Sequence, residues 1–406
     1  AERRGRWAPQ HQPDSPIRLV TVPYRLSSRP KNYDWGAEGA LSRFLGLEAS
    51  SEPEAEVWWG DHPLSDCSLV SDTGEENFSS WLAHTGQSFP LLVKILAAAK
   101  PLSIQVHPSE EQAVRGFSLE ESAGIPLTAP ERTYKDQSAK PELLIALSDD
   151  FVALAGFAPE SVVLGRIDRW VAGGAPPALT ELFGPLAGTP QESAQRIVTP
   201  SESVSQLVEQ LGPWIESLRA QDFGFATTRE GEILTSIHAA HPGDPGILFA
   251  LVMNHVVLSR GEALFVDAGE VHAYLWGTGL EVMLPSDNVI RAGLTPKHKD
   301  HEALMALAAF EASKKPTLVS PASQGPVSTY GDFGAAFSVR QVRAGAADIG
   351  FQKPAVCVVE KGAVEFLSPT DAVTFRSGEA VFALPGESLS AASQDCVVWV
   401  VQAEGS

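Results

Sequence analysis

The sequence has few cysteines, an excess of acidic over basic residues, and no long uninterrupted apolar run. Its three cysteines, Cys67, Cys357 and Cys396, lie far apart and form no CxxC pair, which excludes a disulfide framework and a cysteine zinc motif. No apolar run reaches the roughly 18 residues of a membrane-spanning helix. The Arg-containing N-terminus lacks the apolar core of a secretory signal. We therefore expect a cytoplasmic protein with reduced thiols and no membrane partner.

Acidic residues outnumber basic ones, 50 against 30, and the formal net charge is −20. Such a chain lacks the basic face of a general nucleic-acid binder, so no nucleic-acid partner is expected. A small anionic substrate is still compatible, because a pocket can be locally basic inside an acidic protein. With 406 residues, 44% of them hydrophobic, the chain is long enough for two or three domains with large cores.

Polar side chains occupy every second position of a strand-like segment at residues 103–107. Ser103, Gln105 and His107 alternate with Ile104 and Val106, and alternate residues of a strand share a face. The pattern predicts a strand with one polar and one apolar face. It leaves open whether the polar face lines a site or lies in water.

Two later strand-like segments carry further candidate ligands. Glu142 enters an apolar run, and a carboxylate buried there needs a cation, a metal or a proton. His272 alternates with apolar residues in another run. Two histidines and a carboxylate on strands are a normal ligand set for Zn²⁺ or another divalent ion, and Gln105 could add a neutral oxygen. Scattered core histidines are the alternative.

The spacing of apolar residues divides the chain. Short strand-like runs separated by turns predict a barrel or sandwich, whereas helical spacing broken by Pro and Gly predicts a helical insert. We expect a disordered leader at 1–22, a discontinuous β barrel formed by 23–155 and 241–315, a helical insert at 156–240, and a second β domain at 316–406.

Seven motifs follow one another in the chain, at residues 33–36, 55–63, 100–108, 140–142, 261–263, 272–274 and 287–297. Together they resemble the type I phosphomannose isomerases, zinc-dependent enzymes of the cupin fold, from about Tyr33 to Lys299. The resemblance implies a mainly β chain with a helical insert, that is, two cupin-like jelly-roll (double-stranded β-helix) barrels plus an α-helical domain. The chain departs from the family at Ala139, where a His is common, and in the run 282–285.

The resemblance also implies a reaction, the interconversion of mannose 6-phosphate and fructose 6-phosphate through a cis-enediol by a monomer. It implies one Zn²⁺ per chain, held by Gln105, His107, Glu142 and His272. Implied catalytic residues are Arg291, Glu281, Lys140 and Asp287. Implied contacts to the phosphorylated hexose are Ser103, Lys100, Lys94, Trp35, Tyr274 and Lys297. The general base stays open between Glu281, Asp287 and a zinc-bound water.

Simpler interpretations accompany several of these residues. Lys94 could be a surface lysine, Tyr274 and Trp35 could be pocket wall, and His62 is interpreted as a structural turn residue. Two other functions are compatible with the pattern: an Fe²⁺-dependent cupin oxygenase and a non-catalytic sugar-phosphate-binding cupin. Such oxygenases commonly use three His ligands, so Gln105 favours a non-redox ion, while Ala139 is the one hint of a non-catalytic protein.

Overall fold

The protein was analysed as a computed structural model that describes residues 24–71, 74–311, 315–331, 333–368 and 371–403. The predicted leader at 1–22 lies outside these ranges. The first strands are β1 (Tyr24–Ser27), β2 (Ala37–Glu38), β3 (Pro53–Glu54), β4 (Glu56–Gly60), β5 (Ser68–Ser71), β6 (Gly74–Asn77), β7 (Leu92–Ala98), β8 (Ile104–Val106), β9 (Glu142–Ala146), β10 (Phe151–Phe157), β11 (Met253–Leu258), β12 (Ala263–Val266), β13 (His272–Met283) and β14 (Ile290–Gly293). The later strands are β15 (Thr317–Val319), β16 (Ala322–Gln324), β17 (Val327–Tyr330), β18 (Phe337–Arg343), β19 (Ile349–Gly350), β20 (Ala355–Lys361), β21 (Ala363–Leu367), β22 (Ala372–Arg376), β23 (Ala380–Ala383), β24 (Ser388–Ala391) and β25 (Val397–Ala403).

Helices are concentrated between the two halves of the β structure. They are α1 (Ala40–Phe44), α2 (Phe78–Thr85), α3 (Glu110–Ser122), α4 (Glu160–Ala172), α5 (Ala178–Phe183), α6 (Pro190–Val198), α7 (Glu202–Arg219), α8 (Arg229–Ala240), α9 (Phe249–Val252) and α10 (His301–Leu307). The protein is therefore mainly β with some helices, as the sequence predicts. Within the described ranges, no helix has the length and apolar character needed to cross a membrane.

A ten-stranded antiparallel sheet is organised around β13, its longest strand. The first part of β13 pairs with β10 and β8, and the second part pairs with β7 and β9. Gly277 lies between these two parts of the strand, and its φ of 123° is in the region that favours glycine. A Cβ at this position would lie 2.8 Å from Phe151 Cα. One strand thus carries both His272, in its first part, and Glu281, in its second part.

Side chains alternate between the two faces of this sheet. The polar ones point to the site face, and their apolar neighbours pack against two different cores. Ile104 and Val106 are fully buried in a core formed with helices α4–α10. On the outer face of the sheet, Val93 and Ile95 pack against apolar residues of the C-terminal strands. Lys94 lies between them in sequence and points to the opposite face. The polar residues of β7 and β8 are thus turned inward by the burial of their apolar neighbours.

The C-terminal strands form a second, nine-stranded antiparallel sheet that also includes β1, β5 and β6 from the start of the described chain. β1 lies between β23 and β5. A four-stranded sheet, β19-β24-β21-β22, covers the far face of this sheet and encloses an apolar core that includes Phe351, Phe366 and Phe375.

Candidate active site

Strand register places three of the predicted site residues side by side. Gln105 on β8 pairs with His272 on β13 and with Arg291 on β14. Directly paired residues of antiparallel strands project from the same face, with Cβ atoms about 5 Å apart. The row His272–Gln105–Arg291 therefore lines one wall, although its members are separated by up to 186 positions in sequence.

The segment around Gln105 has the alternation that the sequence predicts, over a shorter strand. Only residues 104–106 are in strand conformation, and Ser103 and His107 flank them. Ser103 Oγ donates a hydrogen bond of 3.3 Å to Gln105 Oε1, and Gln105 Nε2 lies 3.3 Å from His272 Nε2. After Pro108 the chain enters α3, whose N-terminus is capped by a capping box of Ser109 and Gln112.

Glu142 lies between the two histidines at the start of β9. Its Oε1 is 3.2 Å from His107 Nε2 and its Oε2 is 3.6 Å from His272 Nε2. The two imidazole rings are 5.0 Å apart between centroids. One ligand atom from each of the three residues lies within 4.8 Å of the others, and all three side chains are buried.

The hydrogen bonds of the two histidines fix which nitrogen faces the centre. His107 Nδ1 is 2.7 Å from the carbonyl oxygen of Asn288, and His272 Nδ1 is 2.9 Å from that of Glu270. Since a carbonyl only accepts, each Nδ1 carries the proton and each Nε2 presents a lone pair. Two imidazole lone pairs and a carboxylate therefore converge, and the buried His107 Nε2 has no hydrogen-bond partner. The donor set fits a divalent metal.

The protonation states of the centre suit metal binding. Burial and the nearby Lys140 ammonium lower the pKa of His107 to about 4, which leaves the ring neutral at pH 7. Burial opposes ionisation of Glu142, but the Lys140 ammonium holds its pKa well below the usual value. Lys140 also makes a short hydrogen bond to Glu142 Oε1. A neutral imidazole and an ionised carboxylate are the forms that bind metal.

A second polar row crosses strands β4, β7 and β13 next to the centre. Lys94 pairs in register with Trp58 and Glu281, and its Nζ lies 3.2 Å from Glu281 Oε2 and 3.5 Å from Glu56 Oε1. Burial would lower the pKa of Lys94, but these two carboxylates raise it above the usual value. Lys94 is buried and paired, so the surface-lysine interpretation is wrong.

Glu281 and Tyr274 lie deep in this wall. Burial raises the pKa of Glu281, although Lys94 opposes the shift. Burial, together with Glu142, raises the pKa of Tyr274 well above its usual value, and the phenol donates a hydrogen bond of 3.3 Å to Glu142 Oε2. Trp35 packs against the apolar cluster that contains Tyr274. Tyr274 thus contacts Glu142 directly, while Trp35 makes an apolar packing contact.

The remaining predicted residues lie nearer the surface. Lys100, Lys297 and the side chain of Asp287 are exposed, and Arg291 is half-buried. Burial lowers the pKa of Arg291, and burial together with Arg291 lowers that of Lys297. The Arg291–Lys297 proximity gives this side of the site local positive charge within an acidic protein.

Two residues that position the site carry no spacing signal in the sequence. Asn288 is fully buried; its Nδ2 donates to the Asp136 and Ser138 carbonyls, each at 2.9 Å, and its Oδ1 accepts from the Lys135 amide at 2.8 Å. Asp136 accepts from Ser286 Oγ at 2.9 Å. Together they join segment 135–138 to segment 286–288, which supplies the carbonyl that orients His107.

Fold and site define a protein built on antiparallel sheets that carries a candidate metal centre of two histidines and a carboxylate. Residues 24–160 match the family of phosphomannose isomerase type I catalytic domains. The chain is 34% identical over 386 residues to a mannose-6-phosphate isomerase of Escherichia coli, covering 90% of this chain and 95% of that protein. The chain belongs to the type I phosphomannose isomerase family.

Other relatives extend the similarity. A human mannose-6-phosphate isomerase is 31% identical over 322 residues, which cover 71% of this chain and 74% of the human protein. A zinc-bound crystal structure of a mannose 6-phosphate isomerase superimposes with a TM-score of 0.80 at 29% identity, covering 94% of this chain and 100% of that chain. The similarity therefore includes the overall fold as well as the motifs.

Replacing Asn288 with alanine should destabilise the protein and weaken metal binding together. The substitution leaves several part-buried backbone groups without their Asn288 partner, at a cost of about 2–4 kcal/mol in the free energy of unfolding. Asn77→Ala is the matched control, because Asn77 caps α2 at the surface and its loss costs about 1 kcal/mol. Denaturant unfolding and competition with a chromogenic chelator measure both effects. Equal metal affinity in both variants would contradict the positioning role of Asn288.

Proposed function

We propose that the chain interconverts mannose 6-phosphate and fructose 6-phosphate at a single Zn²⁺ site. The observation that carries this proposal is the convergence of His107, Glu142 and His272 beside Lys140 and Arg291, in a chain of the phosphomannose isomerase family. An aldose–ketose isomerase needs an electrophile for the sugar oxygens, a base for the C2 proton and a cationic site for the phosphate. Each of these has a candidate in the pocket.

The proposed zinc ligands are His107, Glu142, His272 and Gln105. The first three present acceptor atoms to one point, as described above. Gln105 currently turns Nε2 toward His272 and Oε1 toward Ser103. A rotation of the amide by half a turn would present its oxygen to the ion and its nitrogen to Ser103 Oγ, which can accept as well as donate. When bound, Zn²⁺ would supply Lewis acidity toward the substrate oxygens.

Asp287 is the general base we propose, in preference to Glu281. Glu281 is buried and its Oε2 is paired with Lys94 at 3.2 Å, so it is poorly placed to reach a substrate carbon. Asp287 has a side chain 43% exposed, and a hydrogen bond from His62 lowers its pKa, which keeps the carboxylate ionised. It would take the proton from C2 of the open-chain aldose and return it to C1 of the cis-enediol.

Charge that develops on O1 and O2 requires fixed donors. The Arg291 guanidinium is planar and held on β14 next to Gln105, so it can donate two parallel hydrogen bonds to adjacent oxygens. Lys140 Nζ, already bonded to Glu142, would assist proton movement between the two oxygens. Ala139 has no proton-carrying side chain, so any assisted ring opening must use one of these groups.

The phosphate would be held at the open end of the pocket. Lys100 and Lys297 are exposed there, and Ser103 lies next to Gln105. Lys94 is committed to Glu56 and Glu281, so we assign it to holding the wall and not to the phosphate. Trp35 and Tyr274 would exclude water from the sugar ring.

A coupled assay tests the activity directly. Fructose 6-phosphate formed from mannose 6-phosphate can be followed through phosphoglucose isomerase and glucose-6-phosphate dehydrogenase. The zinc-loaded protein should be active, chelation should abolish turnover, and Zn²⁺ should restore it. No turnover by zinc-loaded, folded protein would contradict the proposal. Oxygen consumption with Fe²⁺ in its place would support the oxygenase alternative, and sugar-phosphate binding without turnover the non-catalytic one.

We also propose the domain division predicted from the sequence: two cupin-like jelly-roll barrels, at 23–155 with 241–315 and at 316–406, and a helical domain at 156–240. The ten-stranded and nine-stranded sheets and the run α4–α8 support it, with β1, β5 and β6 added to the second sheet. A cytoplasmic monomer stays a prediction. The three free buried cysteines are consistent with a reducing compartment.

A further inference from the structure

His62 lies two residues after the end of β4 and has a defined tautomer. Its Nδ1 accepts a hydrogen bond of 3.1 Å from the Leu64 amide, so Nδ1 carries no proton and the neutral ring carries its proton on Nε2. Nε2 lies 3.3 Å from Asp287 Oδ1. Because an ionised carboxylate only accepts, the Nε2–H group donates to Asp287.

The imidazole is fixed by its packing as well as by its hydrogen bonds. Its side chain is 3% exposed, and its ring meets Trp58 edge-on, with centroids 5.2 Å apart and planes at 89°. Trp58 is itself held by a hydrogen bond of 3.1 Å from its indole nitrogen to Glu56. The donor that faces Asp287 is therefore held against residues of β4.

Asp287 is held at its backbone and at one carboxylate oxygen. Its amide donates a hydrogen bond of 2.8 Å to Asp136 Oδ2, and His62 fixes Oδ1. The terminal torsion of an aspartate is otherwise broad and roughly two-fold. The His62 contact selects one orientation of the carboxylate while much of the side chain stays accessible.

We infer that His62 is a positioning residue of the isomerase reaction: its Nε2–H holds the Asp287 carboxylate in the orientation in which that group takes up the substrate proton. This inference rests on the proposed function, in which Asp287 is the general base. The charged and titratable groups around Asp287 are His62, Lys140, Lys94, Lys135, Tyr33 and Asp136. The hydrogen bond from His62 is the largest influence that lowers the pKa of Asp287.

Two substitutions separate this role from a structural role in the turn. In His62→Gln, the amide nitrogen can replace Nε2 and donate to Asp287, whereas the acceptor for the Leu64 amide is lost. In His62→Asn, the amide oxygen can replace Nδ1 as that acceptor, whereas the donor to Asp287 is lost. The experiment measures kcat, KM, the pH profile of kcat/KM and thermal stability for both zinc-loaded variants.

A positioning role predicts that His62→Asn lowers kcat on the order of 10²-fold with little change in KM, and moves the acid limb of kcat/KM to higher pH. His62→Gln should recover most of kcat and the wild-type acid limb. In an Asp287→Asn background, His62→Asn should cause little further loss. The inference is overturned when the asparagine variant is the more active one, or when both variants lose activity only in proportion to their stability.

Imidazole nitrogen NMR of the wild-type holoenzyme provides an independent test, which serves even when a His62 variant does not fold. The His62 signals should be those of the Nε2–H tautomer, and the Nε2 resonance should shift in Asp287→Asn. A Nδ1–H tautomer, or signals unaffected by Asp287→Asn, would overturn the inference. A wild-type enzyme without isomerase activity would contradict the proposed function, while this spectrum still decides whether His62 holds Asp287.

Discussion

Replacing His272 with alanine should remove both the bound metal and the isomerase activity. His272 is fully buried, and its Nε2 faces Glu142 Oε2 at 3.6 Å and Gln105 Nε2 at 3.3 Å. Without this imidazole, the centre keeps only one neutral nitrogen donor and one carboxylate among its strong ligands. We expect zinc content near zero after dialysis and a fall in kcat/KM of roughly 10³-fold or more, equivalent to about 4 kcal/mol of transition-state stabilisation.

The effect of His272→Ala must be separated from a loss of fold. His255→Ala is the matched control, because His255 also lies on a strand of the ten-stranded sheet and bonds the Ala250 carbonyl at 2.7 Å. It removes an imidazole outside the centre and should keep stoichiometric zinc. Elemental analysis, circular dichroism and zinc add-back to chelated protein make the comparison. Unchanged metal content in folded His272→Ala would show that the ligand set is wrong.

Local alternation correctly predicts which side chains of the central segment share a face. Ser103, Gln105 and His107 turn toward the site because Ile104 and Val106 are buried in the helical core. The same reasoning identifies Glu142, since a carboxylate at the entry of an apolar strand must find a cation. Both inferences depend on neighbours along the chain, which the sequence displays directly.

Contacts between distant strands could not be predicted in the same way. The apolar residues that flank Lys94 in sequence do not indicate which residues it contacts. Only the strand pairing shows that Glu56 and Glu281 lie on either side of it. His62 satisfies the turn interpretation through Leu64, yet its second nitrogen reaches Asp287, 225 positions away. β1 joins the C-terminal sheet through β23. Such pairings follow from the register of whole sheets, which local patterns do not determine.

Replacing Arg291 with alanine should leave the metal and the fold in place and remove most of the catalysis. Arg291 lies on β14 directly opposite Gln105, beside the centre, and its side chain supplies none of the converging acceptor atoms. Its guanidinium would donate to the charge that develops on O1 and O2 of the enediolate. Loss of a preorganised donor of this kind lowers kcat by about 10²–10³-fold. Steady-state kinetics and zinc analysis of the same preparation measure both quantities.

Arg291→Lys distinguishes the contribution of the two parallel guanidinium hydrogen bonds from that of the positive charge alone. Lysine keeps a cation at this position but cannot donate two parallel, coplanar hydrogen bonds. Stabilisation of the enediolate by the guanidinium fork therefore predicts that lysine recovers only a minor part of kcat. A lysine variant as active as wild type would assign Arg291 a general electrostatic role. A change confined to KM in the alanine variant would place Arg291 in substrate binding, because a group that acts only in the transition state alters kcat.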